Sequence, residues 1–211
     1  MGSLIAGRKR PFTGQLIAWG LFLLLLAAIG VILFRAPLEQ TLGSGIRVVY
    51  LHVALIWASL LGLLLNGVLG LAVAVTERPF LERWRQILGW LFIGLFVLGV
   101  LVSLWAQQVN WGGILWREPR NVSVFNVTAV ALITQILADW SPRLRWRGLL
   151  SVALAAFILW EIPRAELVMH PGDPIGGSTS SAIQFTFYSL AILCFLAVLW
   201  LAWIAYRRKR D

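Results

Sequence analysis

Cysteine occurs once in the 211 residues, at Cys194, so neither a disulfide framework nor a zinc site built on paired Cys is available. Charge is scarce as well. Only 13% of residues are Asp, Glu, Lys or Arg, about half the roughly 25% that solvates a soluble domain. No low-complexity run is present, which excludes collagen-like repeats and disorder. Histidine appears twice, at His52 and His170. What fills the chain instead is apolar: 60% of residues are hydrophobic and the mean hydropathy is +0.83. These figures describe an integral membrane protein in a single membrane domain, 1–211.

Apolar stretches near the ~20 residues that cross a bilayer as helix recur six times, over about 15–34, 48–75, 87–106, 122–139, 148–168 and 182–206. Their apolar residues run continuously, unlike the alternation of a membrane barrel strand. The expected fold is all-α, a polytopic bundle of six transmembrane helices. The first stretch follows Arg8-Lys9-Arg10 like a signal peptide, but its apolar run is too long and no small-x-small cleavage site follows. An anchor helix is expected there. The fifth span is the weakest, with 13 uncharged residues between Arg147 and Glu161, which cover about 20 Å at ~1.5 Å per residue.

Six spans divide the basic residues unevenly. One side holds 13 of the 18 Lys and Arg, in clusters at Arg8–Arg10, Arg78–Arg85, Arg143–Arg147 and Arg207–Arg210; the other holds Arg35, Arg47, Arg117, Arg120 and Arg164. The positive-inside rule places both termini in the cytoplasm. The net charge of +9 is then a consequence of topology, and nucleic acid is not expected as a partner. The surrounding partner is membrane lipid, and many of the 12 Trp suit the bilayer interface.

Three features fall on the outer side. His52 lies about one turn inside the second span, and His170 follows the fifth in His170-Pro171-Gly172-Asp173-Pro174. Between them runs an outer loop over 105–120, with Trp105, Trp111 and Trp116 beside Arg117, Glu118 and Arg120. Two readings stand side by side: interfacial His with an aromatic belt, or a haem site. A porphyrin stacks on aromatic faces, its iron takes imidazole ligands, and its propionates pair with cations. Imidazole, with an ordinary pKa of about 6.5, is mostly neutral near neutral pH, as ligation requires.

The run Arg47-Val-Val-Tyr50-Leu-His52-Val53 resembles the Arg-x-x-Tyr-x-His-Val entry to a helix in the cytochrome c maturation protein C family. That family belongs to the haem-handling superfamily, with the maturation protein F and the longer synthetases. The superfamily's loop reads roughly Trp-Gly-x-x-Trp-x-Trp-Asp-x-Arg-x-Thr. Here Trp111-Gly112 resembles its opening, with Glu118 on the Asp and Arg120 on the Arg. Ser103 and Trp105 resemble the preceding Ser-x-Trp. Ile162-Pro163 and Met169-His170-Pro171-Gly172 resemble the approach to the second haem-ligating His. The chain departs from the motif at Leu115 and Arg117, where Trp is expected, and Trp116 is one residue out of register.

The resemblance, over about 47–173, implies a protein of a bacterial plasma (inner) membrane that binds haem b non-covalently. His52 and His170 would be its axial ligands and Trp105, Trp111 and Trp116 its apolar platform. Arg120, Arg117 or Arg164 would hold a propionate, with Glu118 pairing to Arg117 or Arg120. The haem would pass to a chaperone or apocytochrome c, with docking to ABC-type transporter subunits. No enzymatic step is expected. Rival readings are an electron-transfer cytochrome that keeps its haem and a structural subunit that has lost it. No Cys-x-x-Cys-His is present for covalent attachment. Glu161 and Arg164, three apart, suit a same-face ion pair. Asn66 and Gln135 suit interhelical hydrogen bonds. Asp139 needs no function, Cys194 reads as packing, and the sequons at Asn121 and Asn126 read as accidental.

Overall fold

The computed structural model describes residues 12–166 and 178–208. It is all-helical, with α1 Phe12–Arg35, α2 Ile46–Thr76, α3 Pro79–Trp111, α4 Pro119–Trp140, α5 Leu144–Arg164 and α6 Ser181–Arg208. All six are long and apolar enough to cross a membrane. They run alternately up and down, so the start of α1 and the end of α6 share the termini end of the bundle. Segments 36–45 and 112–118 lie at the opposite, loop end.

Helix boundaries follow local chemistry. Pro79 and Pro119 open α3 and α4, where a missing N–H costs nothing. Gly112 closes α3 at φ +72°, and its N–H donates to the Gln108 carbonyl, an αL stop that favours glycine. α3 is the main departure from the apolar-run reading. It reaches well beyond 87–106 at both ends, because Glu82 and Arg85 find partners on α5, Gln107 on α4 and Asn110 at the Gly45 carbonyl just before α2. A count of apolar residues cannot register such pairing. α5 ends at Arg164, earlier than 168, just after Pro163 in its final turn.

α2 and α3 form a tight antiparallel pair at the centre. The Phe92 ring occupies the place a Cβ on Gly62 would take, and Ile56 crowds Gly99 in the same way. α5 lies against α2 along small residues: a Cβ on Gly70 would stand 2.7 Å from the Gly148 carbonyl oxygen, and one on Gly67 2.5 Å from Ala155 Cβ. Such close approach gains dispersion contacts in a medium where apolar burial drives little association. It also secures the span that hydropathy alone ranks weakest. α4 bridges α3 and α5, and α6 covers the other side of α2 and α3. α1 is outermost, against α6, with Trp200 Nε1 donating to the Ala18 carbonyl at 2.8 Å. The main core, including Leu63, Phe92, Phe96, Val127, Leu154 and Ile158, fills the middle.

Toward the termini end, α3, α4 and α5 meet around Arg85, which has no exposed surface. Its Nε and Nη2 donate to the two Glu82 carboxylate oxygens at 2.7 and 2.9 Å. Nη1 donates to Ser151 Oγ at 3.0 Å and Gln135 Oε1 at 3.3 Å. Asp139 lies 3.7 Å from Nη2 and accepts from Trp90 Nε1 at 2.8 Å, while Arg147 reaches Glu82 at 3.6 Å. Two carboxylates and two guanidiniums thus neutralise one another. Asp139, to which the sequence assigns no role, is part of the set.

Two stability predictions follow from this packing. Gly148→Leu forces a side chain into the α2 backbone and should cost about 1–3 kcal/mol, read as a lowered unfolding temperature in detergent. Arg85→Ala takes the bidentate partner from the buried Glu82 carboxylate and should cost about 3–5 kcal/mol. Glu82→Gln combined with Arg85→Gln should cost less than Arg85→Ala alone, because no unpaired charge is left between those two positions.

Candidate functional site

His52 stands six residues into α2, about 9 Å from its first residue at ~1.5 Å per residue. It shares a helical stripe with Ser59, Leu63 and Asn66, all buried, so it is on the inward face of α2. The residue itself is half-buried. The α2–α3 register set by Ile56 against Gly99 and by Gly45 against Asn110 puts it level with Ser103. Tyr50, two residues earlier, turns the other way. It is fully buried with Ala36, Phe187 and Leu190 toward α1 and α6. The two conspicuous residues of Arg47-x-x-Tyr50-x-His52 therefore serve different faces. Arg47 sits over the Phe34 ring at 5.6 Å. His170, with the rest of 167–177, lies outside the described residues.

Much of the stretch expected as an outer loop is helix. Trp105 and Trp111 belong to the end of α3, and Arg120 to the first turn of α4, leaving 112–118 as the connection. Trp105 is 56% exposed, on the outward stripe of α3 with Leu98 and Leu101. Trp111 is 42% exposed at the helix end, and Trp116, 61% exposed, stacks on Phe125 of α4 with centroids 6.3 Å apart. The structure thus places Trp105 and Trp116 on different helices' surfaces and does not bring them into one stack.

Two buried amides, Gln107 and Asn121, to which the sequence reading assigns no role, hold the connection in place. Gln107 Nε2 donates to Asn121 Oδ1 at 2.9 Å, and Asn121 Nδ2 returns a bond to Gln107 Oε1 at 2.9 Å. Asn121 Nδ2 also donates to the Leu115 carbonyl, and the Leu115 N–H donates to Gln107 Oε1. Both side chains are at most 2% exposed, which is consistent with an accidental sequon at Asn121. The available signal is weak: two amides flank a short connection at the ends of adjacent helices.

The candidate charges are deployed separately. Arg120 Nη1 donates to the Ile162 carbonyl at 3.1 Å, so a cation meets the negative end of α5. Ser123 Oγ donates to the Glu161 carbonyl at 3.4 Å. Glu161 and Arg164 do not form the expected pair: the Glu161 carboxylate accepts from Asn126 Nδ2 at 2.8 Å, and Arg164 lies 4.2 Å over the Trp160 ring. Arg117 is exposed, whereas Glu118 is buried at the start of α4. Of the two interior amides, Gln135 bridges to Arg85 and to the Gln86 carbonyl on α3. Asn66 packs beside it at Gly89, and its Oδ1 finds no hydrogen-bond donor among the described residues.

The other loop-end connection is organised by Glu39. Its carboxylate accepts the Thr41 and Leu42 N–H groups, each at 2.8 Å, and the Thr41 hydroxyl. The Leu42 amide, followed by Thr41, holds the Glu39 pKa below its ordinary 4.5. Asn110 Nδ2 ties this segment to α3 through the Gly45 carbonyl at 3.3 Å. The chain matches no model of a known protein family and no curated protein.

The amide pair and the carboxylate turn each generate a prediction. Asn121→Ala leaves the buried Gln107 Nε2 without its acceptor and the Leu115 carbonyl without its donor, at a cost of about 1–3 kcal/mol, and should expose 112–118 to protease. Gln107→Leu with Asn121→Leu should cost less than the sum of the single changes. Because folding lowers the Glu39 pKa, the turn gains its support above the ordinary value of 4.5 and loses it as pH falls through the lower folded value. Amide protection at Leu42 should therefore persist near neutral pH, fall under strong acid, and lack that pH response in Glu39→Gln.

Proposed function

We propose that this chain holds haem b non-covalently at the loop end of the bundle, as a membrane protein of cytochrome c biogenesis, and yields it to a haem chaperone or apocytochrome c. The observation that carries the reading is His52: an imidazole on the inward face of α2, half-buried, close to the end where two connections are pinned by side chains. A neutral imidazole there offers a nitrogen to iron. The exposed guanidiniums of Arg117 and Arg164 suit propionates, and Trp111 lies at the end of the adjacent helix. His170 is the proposed second ligand on the strength of the family resemblance. Residues of this donor set fit the group at a rim, where it remains open to an acceptor.

The interior supports a rim site over a deep one. Leu63, Phe92, Phe96 and Val127 are at most 2% exposed and in mutual contact. That packing disfavours an electron-transfer cytochrome with haem buried between the helices. The proposed setting is a bacterial plasma membrane, on the strength of the family resemblance, with the termini in the cytoplasm from the distribution of Lys and Arg. The site then faces outward, and ABC-type transporter subunits are candidate companions. His52 and the loops hold and position a ligand; no bond-making step is assigned to the chain.

The reading is tested by purifying the protein in mild detergent, adding haem and recording the Soret band, then adding an apo-chaperone or apocytochrome. Binding by the native chain, loss of most of the band in His52→Ala and in His170→Ala, and transfer to the acceptor are expected. Haem that never leaves points to a cytochrome. A chain that takes up no haem points to a structural subunit, and an unaltered spectrum in both variants removes the ligand assignment.

A further inference from the structure

We infer that the bundle is sealed at its termini end, so that a ligand enters and leaves only at the loop end. The ties at the two ends differ in kind. At the termini end the Arg85 network joins α3, α4 and α5, and the Gly70–Gly148 contact joins α2 to α5 with almost no side chain between them. Tyr206 joins α6 to α3: its ring stacks on Trp84 at 4.4 Å and 6° and carries Arg83 at 4.5 Å on its face. Arg83 Nη2 also donates to the Tyr206 carbonyl at 2.9 Å. One turn deeper, the Asn66 and Gln135 amides close around Gly89, and beyond them stand Phe92 and Leu63.

Parting α3 from α4 or α5 at this end would leave the Arg85–Glu82 pair together on α3 but strip it of Gln135, Ser151, Asp139 and Arg147, around a guanidinium that has no exposed surface. The loop-end ties are hydrogen bonds, none of which joins two charged groups: Gln107 with Asn121, Asn110 with the Gly45 carbonyl, Arg120 with the Ile162 carbonyl and Asn126 with the Glu161 carboxylate. Water at a membrane surface can replace such bonds at small cost. Opening is therefore confined to the end where His52 lies. The inference does not depend on what is held there, and it excludes a role as a conduit from one side of the membrane to the other.

A membrane-impermeant maleimide applied to sealed vesicles of each orientation tests the seal, in a Cys194→Ser chain carrying one added cysteine. Thr76→Cys, at the end of α2, identifies the termini side. Asn66→Cys should resist the reagent from that side while the network is intact. Its labelling rate should rise at least about tenfold when Glu82→Ala and Arg85→Ala release the helices to open locally. Should that combination not assemble, Arg147→Gln with Asp139→Asn weakens the same network, and a rise of about threefold is expected. Ser59→Cys should react no faster from the termini side than from the loop side. Overturning results are prompt labelling of Asn66→Cys from the termini side with the network intact, faster labelling of Ser59→Cys from that side, or no rise in the weakest-network variant that folds.

Discussion

A guanidinium inside a membrane bundle needs its N–H groups answered, and the way Arg85 is answered constrains the helices around it. Glu82, three residues earlier on α3, takes two bonds in a bidentate geometry that suits arginine better than lysine. The remaining contacts come from α4 and α5. Their depth and rotation relative to α3 are therefore coupled to one side chain. Buried ion networks are weak stabilisers against apolar packing but penalise arrangements that break them. In this bundle the penalty falls on any change of register among three helices.

The same constraint explains how a short, weakly apolar α5 is accommodated. Its outward surface contributes little, with Trp146, Leu159 and Trp160 its large exposed apolar residues. It is secured by Ser151 in the Arg85 network, by backbone approach to α2 at Gly148, and by Arg120 and Asn126 from α4 at its other end. Polar residues that look costly when α5 is read alone are bonded once α4 lies beside it. Intramembrane polar groups are tolerated on this condition.

The two ends consequently have different characters. One is held by paired charges, aromatic stacking and glycine contact; the other by single hydrogen bonds, from amides, from Arg120 to a backbone carbonyl, and to the Glu39 and Glu161 carboxylates. His52 belongs to the second end, and the apolar core separates it from the first. On the proposed function, an end tied by buried paired charges and an end held by exchangeable hydrogen bonds let a ligand be received and given back on the same side.

Six apolar runs were legible without coordinates because lipid imposes length and composition on every crossing helix. Their number, order and approximate limits depend on local content alone. The placement of His52 near the end of a span was legible for the same reason, as was interhelical bonding by Gln135. What required the tertiary structure was pairing between distant residues: Arg85 with Gln135 and Ser151, Gln107 with Asn121, Arg120 with the end of α5. A linear reading leaves Arg85 in a basic cluster and Asp139 without a role, and pairs Glu161 with Arg164, because neighbours in the chain are the only partners it can see. Helical periodicity alone separates Tyr50 from His52, while rotation of each helix about its axis decides that Tyr50 meets α6 and that Trp105 faces outward. That rotation is set by contacts among helices, which composition does not encode. Apolar content therefore determined that this chain crosses a membrane six times, while the packing of polar residues against other helices decided which faces meet and which end is closed.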